Sequence, residues 1–119
     1  MKESIWHGFK RTDFTFEGMD AIIVFPDESN KTDKWLLKTE YFNAFPEAEI
    51  RMVQLGWHLA YVKNISRWGP EEDFDRKKRF ADFLHKEYGL YEKCIPVGMS
   101  CGGMIAVYFA AKYPEKVSA

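Results

Sequence analysis

The sequence predicts an α/β fold: a mostly parallel sheet with helices on both faces. Three observations predict it. Short apolar runs at residues 21–25, 57–62 and 94–97 have the continuous β-branched and aromatic character of buried strands. Between them lie segments with helix starts and stops, opened by Pro46 and Pro70 and closed by Gly56 and Gly89. After the last run comes a serine between glycines, Gly98-Met99-Ser100-Cys101-Gly102, and then an apolar stretch of helix length. Strands and helices alternating at these lengths build βαβ units.

In chain order, Phe14 and Phe16 alternate with Asp13, Thr15 and Glu17, the pattern of a half-exposed strand that ends at Gly18. Residues 21–25, AIIVF, read as an interior parallel strand covered on both faces, and Pro26 ends it. Residues 27–34 are polar and loop-like. The stretch 35–45 is rich in aromatic and apolar residues, among them Trp35, Leu36, Leu37, Tyr41, Phe42 and Phe45. Pro46 then opens a helix whose first turn carries Glu47 and Glu49, where the helix dipole favours acids. Gly56 stops it, 57–62 form another buried strand and 64–69 the loop beyond.

Pro70, Glu71, Glu72 and Asp73 start a longer helix, with Phe74, Phe80, Phe83, Leu84 and Tyr88 near one face and Gly89 as its stop. Its charged run, Asp75 to Arg79, reads as a solvated face. Residues 94–97 lead into the serine turn. Residues 103–111 are small or apolar with almost no polar face, as expected of a helix packed under a sheet, and Lys112, Tyr113 and Pro114 end it. A further strand should begin near Val117.

Composition narrows the function. The 119 residues, 46% hydrophobic and 17% aromatic, suffice for one globular core and at most one domain. A formal net charge of −1 gives no broad attraction to nucleic acid or to an anionic membrane surface. No stretch approaches the roughly 20 apolar residues of a membrane helix, and the first ten residues hold no hydrophobic signal core, so a cytoplasmic setting is expected. Cys94 and Cys101 would be separated by roughly 20 Å of extended chain, beyond the ~7 Å reach of a disulfide, and are expected as free thiols. There is no G-x-G-x-x-G and no Gly-Lys-Ser/Thr, so neither a dinucleotide nor a P-loop nucleotide is specified, and no cofactor or metal is expected.

The serine turn carries chemistry. A serine at a tight strand-to-helix turn adopts an unfavourable backbone conformation, and Gly98 and Gly102 remove the side chains that would crowd it. The turn would lift the Ser100 hydroxyl above the carboxyl edge of the sheet. The backbone N–H of Cys101, in the first turn of the next helix, can then face a developing oxyanion. Sheets of this kind bind ligands beyond the carboxyl ends of their strands, so residues 26–34, 64–69 and the serine turn are expected to converge. That would place Asp27, Trp68 and Ser100 at one cleft, with Trp68 either a substrate contact or a loop tryptophan packed on its neighbours.

Residues 97–119, VGMSCGGMIAVYFAAKYPEKVSA, resemble the nucleophile elbow, the following helix and the start of the next strand in the α/β-hydrolase superfamily, particularly its esterase-like serine hydrolases. The resemblance implies Ser100 as nucleophile, Cys101 N–H as one oxyanion donor and a small acyl substrate. It sets the second donor after the strand at 21–25, where Pro26 has no N–H and Asp27 or a later amide would serve.

In that superfamily an acid and a histidine follow the serine. Here only Glu115 follows as an acid, and His7, His58 and His85 all precede. Residues 1–119 are therefore expected to be the N-terminal half of a single hydrolase domain, completed by the remainder or by self-association through an exposed sheet edge. The alternative is a non-catalytic half-domain that pairs through that edge. A phosphate cradle at Gly98, Gly102 and Gly103 is a third, weaker reading.

Overall fold

The computed structural model describes residues 1–40, 42, 46–65, 71–98 and 101–118, with the backbone alone over 101–104. Its strands are β1 (Lys2–Trp6), β2 (Phe9–Phe16), β3 (Met19–Val24), β4 (Trp35–Lys38), β5 (His58–Val62) and β6 (Ile95–Val97). Its helices are α1 (Glu47–Gln54), α2 (Glu71–Tyr88) and α3 (Cys101–Lys112), followed by a short 3-10 turn at Pro114–Lys116. The strands form one sheet in the order β1-β2-β3-β5-β4-β6.

Two tight turns fix the direction of the first three strands. His7-Gly8 and Glu17-Gly18 all have positive φ (48°, 89°, 53° and 79°), the two-residue turn whose twist matches that of a hairpin. Trp6 therefore faces Phe9, and Phe16 faces Met19. β3 in turn pairs antiparallel with β5, Val24 opposite Leu59 and Ala21 opposite Val62. Parallel pairing begins with β4 against β5 and β6.

The sheet is thus mixed and mostly antiparallel, which corrects the expected mostly parallel sheet and the expected direction of residues 21–25. The physical reason lies in the connections. Two-residue turns join β1 to β2 and β2 to β3, which permits only antiparallel pairing, and residues 25–34, which join β3 to β4 across β5, hold no helix to carry a parallel crossover.

Helices cover both faces, as the sequence predicts. Alternation along each strand splits the core: Ile22, Val24, Leu36 and Leu59 pack with Val53 of α1 on one face. Ile23, Trp35, Leu37, Ala60 and Val62 pack with Phe74, Phe80 and Leu84 of α2 and Ile105 and Phe109 of α3 on the other. Each Val, Leu, Ile or Phe side chain so buried contributes about 1.5–3 kcal/mol of transfer free energy. The α3 expectation is met on one face only, since Val107 and Tyr108 are 65% and 52% exposed.

Both helix stops match the sequence reading. Gly56 follows α1 at φ +99° and Gly89 follows α2 at φ +68°, conformations that favour glycine. The charged run of α2 does not match. Arg76 and Lys77 are buried, while Lys78 pairs with Asp82 and Arg79 with Glu17. Beyond α3, Val117 makes a parallel bridge to Cys94, where a further strand was expected.

Candidate functional site

The parallel strands define two ends of the molecule. At the carboxyl end, Lys38, Val62 and Val97 finish β4, β5 and β6. Gly98 follows Val97, and α3 starts at Cys101. β6 and α3 are thus separated by three residues, 98–100, at the end where open α/β sheets bind ligands. Met99 and Ser100 themselves lie outside the described residues, as does Trp68. The backbone of Cys101 opens α3, which directs its N–H toward the turn.

Asp27 is at the other end. Because β3 runs against β4, β5 and β6, its final residue Val24 sits beside Leu59, one position into β5. The chain then leaves the sheet at the amino end, roughly 13 Å of strand away from the carboxyl end at about 3.3 Å per residue. There Asp27 lines a cavity of about 480 Å³ with Phe25, Lys31, His58 and Tyr88. Asp27 and residues 26–34 thus lie at the end of the sheet opposite Val97 and Gly98, not at the carboxyl end where they were expected. The strand beside the elbow strand is β4, so the loop in the expected position begins at Thr39.

The three histidines lie at the amino end too. His7 is in the β1–β2 turn against the Trp6 ring, and His58 begins β5, where burial pushes its pKa down to about 4. His85, near the end of α2, has its Nδ1 2.7 Å from the Leu90 carbonyl. All three are at the end of the sheet opposite Val97 and Gly98.

What the carboxyl end holds instead is a buried polar network that sequence reasoning missed. Thr39 N and Oγ1 both donate to the Val97 carbonyl, at 3.0 and 3.2 Å. Asn64 Nδ2 donates to the Thr39 carbonyl at 2.7 Å, and Lys77 Nζ donates to Asn64 Oδ1. Asp73 accepts from the Ile65 N–H at 2.8 Å and from Arg76 Nη1 at 2.7 Å. On the opposite face Lys38 pairs with Glu49 of α1, the two side chains 2% and 3% exposed. Burial pushes the Lys77 pKa down to about 8 against the pull of Asp73 and Glu40. Burial and the neighbouring Glu40 carboxylate, 3.5 Å from its hydroxyl, push Tyr61 up to about 12.

The signal available in the sequence was the placement of Lys38 and Lys77 within apolar patterns. Among the described residues no three His, Cys, Asp or Glu side chains cluster to hold a metal ion. The buried Cys94 thiol is free, and desolvation pushes its pKa up to about 12.

No family model and no curated relative matches the chain. Solved structures do. A cold-adapted esterase from an Arctic intertidal metagenomic library matches with TM-score 0.69 at 13% identity, over 98% of this chain and 59% of the esterase. An epoxide hydrolase from Vigna radiata matches with TM-score 0.63 at 12% identity, over 93% of this chain and 38% of that one. A probable hydrolytic enzyme from Pseudomonas aeruginosa gives TM-score 0.52 at 20% identity, over 90% and 38%. The chain has the α/β-hydrolase fold, and it spans 38–59% of the length of these three hydrolytic neighbours.

Proposed function

We propose that the chain carries the nucleophile of a serine hydrolase acting on carboxylic esters or related acyl substrates. One observation carries this reading: β6 ends at Val97, at the carboxyl end of the parallel strands, and α3 begins at Cys101, the residue after Ser100 in the sequence. Ser100 Oγ attacks the acyl carbon while a histidine outside residues 1–119 accepts its proton, and the leaving alcohol takes that proton as the acyl-enzyme forms. Water then repeats the exchange.

Cys101 N–H steadies the oxyanion from the helix start. The second donor is a backbone amide of the loop that begins at Thr39, in place of Asp27. Trp68, in the segment following β5, serves as a substrate contact. A cytoplasmic setting belongs to the same proposal, in keeping with the free thiol of Cys94. The partner it requires is the histidine-bearing remainder of the domain, received beyond β6, where Val117 already bridges to Cys94.

A fluorophosphonate probe tests the reading. Full-length protein should gain one adduct, mapped to Ser100, and Ser100→Ala should gain none and lose acyl transfer by about 10³-fold or more. Persistent activity in Ser100→Ala, or an adduct elsewhere, would overturn it.

A further inference from the structure

We infer that Asn64 and Lys77 are positioning residues for the serine turn, holding the first residue after β4 against the last residue of β6. The catalytic consequence rests on the serine-hydrolase reading; the geometry does not. Val97 stands three residues before Ser100, and its carbonyl takes both donors of Thr39. The Thr39 backbone carbonyl accepts from Asn64 Nδ2, and the Asn64 side-chain Oδ1 accepts from Lys77 Nζ in the second turn of α2. One hydrogen-bonded line therefore runs from α2 across the ends of β5, β4 and β6.

Chemistry fixes the direction of each link. An ammonium only donates and a backbone carbonyl only accepts, so the Asn64 amide has one usable orientation, oxygen to Lys77 and nitrogen to Thr39. Nor is the line an incidental way of filling the core. Asn64 is 5% exposed and Lys77 1%, and the Lys77 ammonium, within the pull of the Asp73 and Glu40 carboxylates, makes its hydrogen bond to the Asn64 side-chain amide. The desolvation of a cation is thus spent at the three strand ends that bear the loops of the site. On the other face the Lys38–Glu49 pair ties the same strand end to α1, so residues 38 and 39 are held from both sides. An oxyanion donor in the loop that follows inherits its position from them.

Asn64→Asp and Lys77→Met test the inference. Asn64→Asp keeps the shape and the acceptor for Lys77 but loses the N–H that reaches the Thr39 carbonyl. Lys77→Met removes the ammonium. Two quantities are read in full-length protein: hydrogen exchange of the Thr39 amide relative to that of Ala60 in the core, and the rate of Ser100 labelling at saturating fluorophosphonate. In both variants the Thr39 amide should exchange about tenfold faster relative to Ala60. The labelling rate should fall on the order of tenfold to a hundredfold with the half-saturating probe concentration unchanged, the signature of misplacement rather than lost binding.

Unchanged relative protection of Thr39 would overturn the inference, as would lost protection with an unchanged labelling rate. Should a single variant fail to fold, Asn64→Leu/Lys77→Met removes both side-chain partners together and is read in the same way. An unlabelled wild-type protein would overturn the serine-hydrolase reading, while the exchange ratio still decides whether the line holds Thr39.

Discussion

At the carboxyl end of β4, β5 and β6 the chain buries Lys38, Thr39, Glu49, Asn64, Asp73 and Lys77, whereas at the amino end it packs Phe25 against the rings of His58 and Tyr88 beneath a polar loop. The loop is fastened through backbone, with Thr32 N–H and Oγ1 both donating to the Gly56 carbonyl at 2.9 and 2.7 Å. Aromatic packing needs no exact partner, so the amino end tolerates adjustment. A buried charge without its partner has no such latitude. The contrast teaches where the demanding contacts have been placed: at the end where β4, β5 and β6 finish.

The largest stability effect should therefore come from the carboxyl end. Glu49→Gln leaves the Lys38 ammonium without its carboxylate in a site 2% exposed, and should destabilise by about 3–5 kcal/mol in chemical denaturation. The double variant Lys38→Met/Glu49→Leu should recover most of that loss, because two apolar side chains of similar size remove both charges at once. A double variant as unstable as the single one would mean that the pair is held for packing rather than for charge.

The amino end should respond most at its tightest backbone contact. Gly56 has φ +99°, and a Cβ there would lie 2.3 Å from the Asn30 carbonyl oxygen, which belongs to backbone and cannot swing aside. Gly56→Ala should cost about 2–4 kcal/mol, combining conformational strain with displacement of residues 30–32. Denaturation together with loss of amide protection at Thr32 would check it. A loss confined to stability, with Thr32 still protected, would place the strain in α1 instead.

These two sites also show how much the sequence could reveal. Gly56 was legible as a helix stop because its signal is local, a glycine after a helical pattern, and the strand at 57–62 and helix ending at Gly89 were legible for the same reason. The direction of β3 was not. An apolar run announces burial but carries no arrow; the Glu17-Gly18 turn, with glutamate at a positive-φ position usually held by Asn, Asp or Gly, sets β3 against β2, and the helix-free connection 25–34 sets it against β4 and β5. That single inversion moved Asp27 from the expected cleft to the far end of the sheet. β1 was missed because Lys2, Glu3 and Ser4 are polar and exposed, so edge pairing rather than a buried face makes it a strand. The polar network was hidden for a related reason: buried lysines are rare, so Lys77 in a charged run reads as surface. The start of α3 at Cys101 was legible because the glycines at 98 and 102 and the apolar stretch after them are contiguous in sequence.

A pH titration sharpens the comparison further. Burial holds the His58 pKa near 4, below its value of about 6.5 in the unfolded chain. The unfolded state therefore binds the extra proton first, and the stability contributed by neutral His58 is complete above pH 6.5 and lost as pH falls toward 4. Among the described residues His58 Nδ1 is buried with no hydrogen-bond partner, so protonation there is not compensated by them. His58→Phe should flatten the stability profile between pH 6.5 and 4 relative to wild type. Equal slopes in the two proteins would assign the acid sensitivity to other groups.

The smallest effect should come from an ion pair with good geometry and no burial. Arg79 Nε and Nη2 reach the two Glu17 carboxylate oxygens at 2.6 and 2.8 Å, and the guanidinium holds the Glu17 pKa below its usual range. By distance alone this bidentate pair rivals any contact at the carboxyl end. Yet water already solvates both partners before they meet, and salt screens what remains. Arg79→Met should leave the melting temperature within experimental error at moderate ionic strength, where Glu49→Gln lowers it by many degrees. Comparable shifts from the two variants would show that geometry rather than desolvation ranks the polar contacts of this fold, and the buried line from Lys77 to Val97 would then lose its claim to special rigidity.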